Sequence, residues 1–405
     1  MSLIAGLLAV QNADTDDLTG EWQQHVTVRH AKGIGNGAVL FALMTMLRKE
    51  NAESTEYNWF ERDPVRQNFY SDNAYSSVVT TIGWNDGATP ANAVWAGLSL
   101  NTVLENIRTG EYVRVTGDAT QSAVAVERGH AGTTPAAINA GDLWSRLFIA
   151  AEEGALPTRA VYENPQELKN FVETFNSSVF LTNAFKGTVL RSDMEGPLRE
   201  RRIYALEKIC GDIEKAFLLG RRNRLVGING YIYQTGGVRD AITRAGLAST
   251  NILNGGGTGG VTLTQTKAWL RSFMVFGSNQ KLGLCGPLAF QALSDYANSA
   301  AAGFRIMNNE TVFGMNVTTI VTPLGILELT FHPLLQELTA YQASMFVIDM
   351  PNIVQKTMEP LFLERNIQTR GQDAYQEQFR AKLGVKLKFA NAFGHAYNFQ
   401  LISGN

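Results

Sequence analysis

Cys285 is the residue whose setting most resembles that of a catalytic nucleophile. The segment Gly283-Leu-Cys-Gly-Pro287 lies where a strand is expected to turn into a helix, and nucleophiles are often exposed at such a turn. Pro287 replaces the glycine that this type of turn requires. We therefore interpret Cys285 as a small hydrophobic side chain in the core.

The five histidines supply neither an obvious base nor a metal site. The candidate bases, none of which lies in a recognisable partner motif, are His130, His332 and His395. His25 and His30 form the one close pair, but their spacing places them on different faces of a helix or strand. The adjacent carboxylates Asp16-Asp17 and Glu152-Glu153 are neighbours in sequence and not a facing acid and base.

Two glycine-rich segments lack the features of nucleotide-binding loops. Gly33, Gly35 and Gly37 follow no convincing strand and lack the spacing of a dinucleotide fingerprint. The run Asn254-Gly-Gly-Gly-Thr-Gly-Gly260 lacks the Lys-Ser/Thr ending of a phosphate-binding loop, so we expect a flexible surface loop. The sequence thus predicts no catalytic, cofactor-binding or metal-binding residues, and a protein that is not an enzyme.

The composition is typical of a packed globular protein with two or three lobes. The 405 residues are 45% hydrophobic and 18% charged, with 38 glycines. The formal net charge of −2 provides no overall attraction to nucleic acid or to an anionic membrane. Cys210 and Cys285 form neither a disulfide framework nor a metal motif, which favours a reducing compartment.

No segment indicates export or membrane insertion. Residues 1–10 are apolar but lack the positive leader and the length of a signal peptide, so we expect a mature N-terminus. No run of about 18 apolar residues occurs, which predicts no membrane span. The sequons at Asn176, Asn309 and Asn316 are then chance matches.

Hydrophobic spacing divides the first half of the chain into distinct stretches. Residues 1 to about 50 are expected to form an extended arm ending in a short helix from Ala38 to Arg48. From about 55 to 165, short alternating runs between turn residues predict a β-rich module. Within it, Trp84-Asn-Asp-Gly87 and Arg128-Gly-His-Ala-Gly-Thr133 are predicted to be tight turns.

The clearest helix runs from Leu198 to Leu219, between Pro197 and Gly220. Its predicted core face consists of Leu198, Leu206, Ile209, Ile213, Ala216 and Phe217. The remaining predicted elements are a helix near Thr264 to Phe276, a strand-turn-helix from Lys281 to Ala297, strands at Met315 to Thr322 and Gly325 to Phe331, an apolar run from Ser344 to Met350, a polar segment from Gln368 to Gln378, and a last strand from Phe379 to Ala392.

Several segments resemble parts of phage capsid proteins. The run from Glu167 to Thr182 resembles the strand that leads to the long "spine" helix of these proteins. The ending Asp212 to Gly220, followed by Gly227-Ile-Asn-Gly230, is similar to the end of that helix. Gly371 to Ala390 resembles the final peripheral strand, and Val124 to Thr134 is similar to a small β insertion.

On these segments the chain resembles the Hong Kong 97-type major capsid proteins of tailed phages. The resemblance implies an α+β fold with an N-terminal arm, an extended β-loop, a long spine helix, peripheral and axial domains, and an inserted β-rich subdomain. The implied divisions are 1–50 for the arm, 51–165 for the extended loop with its insertion, 166–235 for the peripheral domain with the spine helix at about 194–220, 236–360 for a mainly axial domain, and 361–405 for the return to the peripheral domain.

The resemblance implies a major capsid protein that self-assembles, as hexamers and pentamers, into an icosahedral head enclosing double-stranded DNA without sequence specificity. Scaffolding, portal and decoration proteins are implied partners, no membrane is involved, and the virion capsid is assembled in the host cytoplasm. Some such shells join a loop lysine to a neighbour's asparagine, but no lysine lies between Lys49 and Lys169, so we expect non-covalent contacts. Deleting residues 1 to 50 is expected to leave a folded subunit that fails to close shells.

Two alternatives stay open on the sequence. An encapsulin-like compartment shares the resemblance but encloses enzymes, so copurifying cargo protein instead of DNA would identify it. A hydrolase or carbohydrate-binding protein carried by the β-rich module needs a convergent acid-base pair or an exposed aromatic platform. The module's tryptophans, Trp59, Trp84, Trp95 and Trp144, are too scattered in sequence to indicate one.

Overall fold

The computed structural model describes residues 38–47, 49–62, 67–85, 98–117, 124–151, 153–154, 165–183, 197–256, 261–298, 305–312 and 315–399. The chain forms two compact units. Unit 1 comprises Met1–Asn58 and Lys169–Asn405, and unit 2 comprises Trp59–Leu168. The predicted arm before residue 38, the pair His25 and His30, and the glycine run beyond Gly256 lie outside the described residues.

Helices account for a minority of the described elements. They are α1 Val39–Leu47, α2 Pro197–Leu219, α3 Val238–Arg244, α4 Ala248–Asn251, α5 Leu263–Met274, α6 Pro287–Asn298 and α7 Pro333–Glu337. None of these described helices combines the length and the apolar character that a bilayer crossing requires.

Strands make up most of the rest. They are β1 Lys49–Asn51, β2 Glu56–Glu61, β3 Asn68–Ser71, β4 Thr81–Ile82, β5 Trp84–Asn85, β6 Thr102–Asn106, β7 Tyr112–Val115, β8 Val124–Glu127, β9 Leu143–Ile149, β10 Gln166–Phe171, β11 Glu173–Thr182, β12 Asn223–Gly227, β13 Gly230–Gln234, β14 Ile252–Asn254, β15 Gln280–Cys285, β16 Arg305–Val312, β17 Met315–Thr322, β18 Gly325–Phe331, β19 Met345–Ile348, β20 Ile353–Arg365, β21 Ala374–Leu387 and β22 Gly394–Tyr397.

Unit 1 contains two large sheets that share an apolar core. One has the order β1-β20-β21-β11, and the other has the order β14-β22-β19-β15-β18-β17-β16. β19 shows how the layers are built, because all four of its residues are apolar and buried. Phe346 and Ile348 join the core around α2, whereas Met345 and Val347 face the core that includes residues of α5 and α6. A strand buried on both faces gives a continuous apolar run instead of an alternating one.

The helix predicted at the end of the arm is confirmed as α1, and it belongs to the core. Val39, Leu40, Leu43 and Met44 are all buried in the same cluster as residues of α2. β1 follows immediately and pairs in parallel with β20. A deletion through residue 50 therefore removes core side chains and most of a strand, which argues against the expectation that such a deletion leaves a folded subunit.

The long helix α2 is confirmed, with one error in its predicted core face. Ile209, Ile213 and Phe217 are buried as expected, but Leu206 is 38% exposed. Ala205 takes the buried position and packs against Val179 and Leu181 of β11. Consecutive residues of a helix point about 100° apart. The prediction of Leu206 in place of Ala205 therefore rotated the expected core face of the N-terminal half of α2 away from β11.

The C-terminal strands are confirmed in part. β17 and β18 have the predicted limits, and β19 lies within the predicted run. β20 was missed, and β21 begins at Ala374, inside the segment predicted to be only polar. Much of this hairpin is only partly buried, so polar and charged residues alternate without a continuous apolar face. The final strand β22 lies in the seven-stranded sheet.

Unit 2 is a sheet closed on itself. Its order is β4-β8-β7-β6-β9-β3-β5, and β4 and β5 are two halves of one strand separated only by Gly83. A Cβ atom at Gly83 would lie 2.1 Å from the Asp72 carboxylate, so only glycine fits without displacing that side chain. Trp84 and Trp144 form a T-shaped pair in the core, with ring centroids 5.1 Å apart.

The predicted turn after β8 is confirmed. Gly129 and Gly132 have φ values of 64° and 80°, and Ala131 between them has a φ of 57°. All three lie in the left-handed region, which glycine reaches without strain. The predicted divisions between arm, loop, peripheral and axial regions stay a prediction.

Candidate assembly surface

A hairpin that follows α2 exposes several large apolar side chains. It consists of β12 and β13 joined by Ile228 and Asn229, and it is called the apolar hairpin below. The strands are antiparallel, with Leu225 opposite Ile232 and Val226 opposite Tyr231. A two-residue connection of this kind is the tightest link between antiparallel strands, and Gly230 after it has a φ of 142°, which glycine adopts without strain.

Both faces of the apolar hairpin expose large apolar side chains. Val226 is 84% exposed, Ile228 is fully exposed and Tyr231 is 55% exposed. On the opposite face, Leu225 and Ile232 are also exposed. A two-stranded hairpin is marginally stable in water, and contiguous apolar surface usually marks a contact with another molecule. The apolar hairpin is therefore a candidate interaction element.

The first strand of the apolar hairpin is held at its base by an arginine network. The backbone N–H of Arg222 donates to the Asp240 carboxylate at 3.2 Å. Arg244 donates to the same carboxylate at 2.7 Å and to the carbonyl of Arg222 at 2.9 Å. The Arg222 guanidinium also donates to the carbonyl of Lys169. These bonds tie the base to α3 and β10.

The second strand ends on buried polar groups. The N–H of Thr235 donates to the Glu173 carboxylate at 3.0 Å, and burial raises the pKa of that carboxyl group. The N–H of Gly236 donates to the side-chain oxygen of Asn170 at 2.8 Å. The Asn170 amide donates in turn to the carbonyl of Val385 at 2.8 Å. Both ends of the apolar hairpin are thus fixed to the body while its tip projects.

Two glycines bring the hairpin base against the end of α2. The N–H of Gly237 donates to the carbonyl of Gly220 at 2.9 Å. A Cβ at Gly237 would lie 2.5 Å from the carbonyl oxygen of Phe217, and a Cβ at Gly220 would lie 2.3 Å from that of Ala216. Backbone atoms cannot move aside as a flexible side chain can, so neither position accepts a larger residue without a shift of the backbone.

Gly237→Ala is therefore expected to lower the free energy of unfolding by about 1–3 kcal/mol. Gly211→Ala is the matched control, because Gly211 lies inside α2 and a Cβ there would meet only Leu334, at 4.0 Å. This control is expected to raise the free energy of unfolding by about 0.5–1 kcal/mol, since alanine favours the helix over glycine. Urea denaturation of both variants measures the difference; equal shifts of the same sign contradict the close approach.

A second exposed patch lies on the N-terminal half of α2 and is called the spine patch below. It consists of Ile203, Tyr204, Leu206 and Glu207, all of which are exposed. Side chains three and four positions apart are neighbours on a helix, so the four form one surface. Within the described residues, no ion pair is recorded for Glu207. The patch is apolar with a carboxylate at its border.

The structure places Cys285 in the core. It is fully buried, its sulfur lies 3.9 Å from the carbonyl oxygen of Gly283, and burial raises the pKa of its thiol. A buried thiol with a raised pKa is a poor nucleophile. The strand-to-helix turn predicted around it is present between β15 and α6.

Each of the three candidate bases contacts a different group. His130 Nδ1 is 3.7 Å from a Glu127 carboxylate oxygen in unit 2. His332 Nε2 is 2.7 Å from a Glu214 carboxylate oxygen. His395 stacks on Phe346, with centroids 4.1 Å apart, and burial lowers its pKa to about 3. Among the described residues, the hydrogen bond recorded for the Cys285 sulfur involves none of these rings.

The sequence analysis also considered a metal site and an exposed aromatic platform. In the described part of the chain, no group of three or more His, Cys, Asp or Glu side chains is arranged to hold a metal ion. Trp84 and Trp144, distant in sequence, meet in the core of unit 2 and form no exposed platform. Trp95 lies outside the described residues.

The sequence interpretation used only the glycines of the apolar hairpin and missed its apolar side chains. The segment Leu-Val-Gly-Ile-Asn-Gly-Tyr-Ile-Tyr, residues 225–233, holds apolar residues at consecutive positions on both sides of a two-residue turn. Such a pattern indicates a strand pair that is covered on both faces. Within the described residues only the base of the hairpin is covered, where Tyr233 packs on Phe171, whereas Leu225, Val226, Ile228, Tyr231 and Ile232 stay exposed, which distinguishes the segment from core.

Comparison with known proteins places the chain in a family. A family model described as SU10 major capsid protein matches residues 40–399. No curated protein sequence matches the chain.

Several solved structures are similar to the chain. The holo-SrpI encapsulin complex of Synechococcus elongatus PCC 7942 has 9% identity and a TM-score of 0.47, covering 98% of each chain. The capsid of the native GTA particle has 10% identity and a TM-score of 0.45, covering 96% of this chain and 99% of the other. A chain of Microbacterium phage Oxtober96 has 11% identity and a TM-score of 0.43, covering 98% of each chain.

Proposed function

This chain belongs to the SU10 major capsid protein family, and from that premise we propose how its surfaces serve a shell. Its function is that of a major capsid protein, which forms the head shell of a bacteriophage. The fold is the α+β Hong Kong 97-type fold predicted from the sequence. The family match over residues 40–399 is the observation that carries the function.

Subunit contact through the apolar hairpin is the central proposal. A head shell is made of many copies of one chain, so each copy needs apolar surface that a neighbour covers. The apolar hairpin provides it on a base held by Asp240, Glu173 and Asn170. A rigid element loses little conformational entropy when it binds, which strengthens each contact. Many such contacts close a stable lattice.

The protein acts without catalysis in this proposal. Cys285 is buried and carries a raised thiol pKa, and the candidate bases contact other groups. Hexamers and pentamers, scaffolding, portal and decoration proteins, and assembly in the host cytoplasm belong to the same proposal. The packaged molecule is double-stranded DNA, held without sequence specificity. The net charge of −2 supports an inner wall that does not bind DNA tightly.

Expression of the full chain, followed by sedimentation and electron microscopy, tests the function. We expect closed shells or capsomer rings. Nuclease treatment before extraction then separates the two shell functions: protected DNA in particles made during phage growth supports a capsid, and copurifying cargo enzyme supports an encapsulin-like compartment. A chain that stays monomeric under every assembly condition contradicts both.

Deletion of residues 1–37 tests the arm. It leaves α1 and β1 in place, so we expect a circular dichroism spectrum and melting temperature close to those of the full chain. We expect few or no closed shells, because the arm is proposed to reach a neighbouring subunit. Normal particles from the shortened chain would rule out this role.

A further inference from the structure

We propose that the apolar hairpin of one subunit docks on the spine patch of a second copy of the chain. The inference rests on the proposed shell function and names the partner surface within it. Both surfaces belong to unit 1 and are exposed, with Val226, Ile228 and Tyr231 on the hairpin and Ile203 and Tyr204 on the patch.

The two surfaces are separated within one chain. The apolar hairpin starts four residues after the end of α2, at Leu219, whereas the spine patch ends at Glu207. The twelve residues of α2 from Lys208 to Leu219 span about 18 Å, at a rise of about 1.5 Å per residue. The base contacts with Asp240 and Glu173 fix where the hairpin leaves the body. Both surfaces are exposed, so they do not cover each other within one chain, and a contact between them requires a second copy.

The chemistry of the two surfaces is complementary. Residues 221–234 include Arg221, Arg222 and Arg224 and no acidic residue. The spine patch carries Glu207, which is exposed. Lys208 is also exposed and lies four positions after Tyr204, so it borders the patch about 100° around the helix from Glu207. An arginine at the hairpin and a carboxylate at the patch carry opposite charges, and apolar side chains lie beside both.

One face of the apolar hairpin carries both the arginine and the apolar side chains proposed for the contact. Val226 is opposite Tyr231, and Arg224 is opposite Tyr233 two pairs further from the tip, so these four residues lie on the same face. The Arg224 guanidinium lies over the Tyr231 ring, 4.5 Å from its centroid. That stacking holds the charge beside the apolar surface. Arg224 is therefore placed to reach Glu207 while Val226 and Tyr231 cover Ile203 and Tyr204.

Such a contact joins unlike surfaces head to tail. Repetition of one head-to-tail contact builds a ring when the rotation between copies closes, and a filament when it does not. A capsomer ring is the closed case. Each subunit in the ring uses its hairpin on one side and its spine patch on the other.

A charge-reversal experiment on the full chain tests the pairing. Four forms are compared by sedimentation velocity and electron microscopy: the wild type, Arg224→Glu, Glu207→Arg and the double reversal. Arg271→Glu, an exposed arginine of α5, is the matched control. Melting temperatures show that each variant is folded, and Arg224→Gln and Glu207→Gln replace any reversal that is not.

We expect the wild type and Arg271→Glu to assemble, each single reversal to lose particles, and the double reversal to recover them. Single reversals that assemble like the wild type would overturn the inference and leave the shell function standing. Loss without recovery in the double reversal would overturn the pairing of Arg224 with Glu207. A wild-type chain that never assembles would overturn the shell function and the inference together.

Discussion

Arg128→Met is expected to lower the stability of unit 2 by about 3–5 kcal/mol, since it leaves a buried carboxylate without its cation. Arg128 Nε lies 2.7 Å from one oxygen of Glu111, and Nη2 lies 2.8 Å from the other. The pair is buried, with side-chain exposures of 5% and 0%. The same guanidinium donates to the carbonyls of Ser76, Val79 and Ala136, so its loss also removes the hydrogen bonds to these three carbonyl oxygens.

Arg114→Met is the matched control, because Arg114 pairs with Glu127 at 2.8 Å in the same sheet but at exposures of 34% and 47%. An exposed pair contributes about 0–1 kcal/mol, so this variant should unfold close to the wild type. Hydrogen exchange of β7 and β8 reports unit 2 separately from unit 1. Equal loss of protection in both variants would show that burial of the Arg128 pair has no special weight.

Acid should weaken the same pair. Burial raises the pKa of Glu111, but the Arg128 guanidinium and the N–H groups of Ala136 and Gly129 together lower it by more than burial raises it. The pKa of Glu111 therefore lies below its ordinary value. A carboxyl group with a lowered pKa in the folded state stabilises fully above its unfolded pKa of about 4.3, and that stabilisation is lost as the pH falls through the folded pKa. We expect the difference between wild type and Arg128→Met, measured by urea unfolding, to shrink from pH 7 to pH 3.

Sequence patterns located the elements that a single periodicity defines. α1, α2, β17 and β18 were found because their apolar residues recur at helical or alternating spacing over a full element. β20 was not found, because Pro360 and two register shifts interrupt its alternation. Core membership on α2 failed at Leu206, where a shift of one residue decides which side chain meets β11.

Long-range polar contacts were beyond reach of the same patterns. Glu111 and Arg128 are separated by 17 residues and Asn170 and Gly236 by 66, and nothing in their local sequence distinguishes them from surface residues. Closure of unit 2 at Gly83 also depends on strands distant in sequence. The apolar hairpin is the opposite case, since its residues are apolar in sequence and only the structure shows that they are exposed.

Glu214→Ala is expected to lower the stability of unit 1 by at least about 3 kcal/mol, since two buried donors and one partly buried donor lose their acceptor at once. Glu214 is fully buried on α2, and its carboxylate accepts from the N–H groups of Leu40 at 2.8 Å and Phe41 at 2.7 Å. His332 Nε2 lies 2.7 Å from the same carboxylate. A carboxylate at the N-terminus of a helix also interacts favourably with the positive end of the helix dipole.

The loss should be concentrated in α1, because two of the three donors belong to its first turn. Hydrogen exchange of residues 42–47 is the measurement, and we expect it to accelerate in Glu214→Ala before the rest of unit 1 responds. Glu207→Ala is the control on the same helix, two turns away and exposed, and it should change stability by less than about 0.5 kcal/mol. Protection of α1 that survives Glu214→Ala would mean that its apolar face, Val39, Leu40, Leu43 and Met44, is sufficient to hold it on the body.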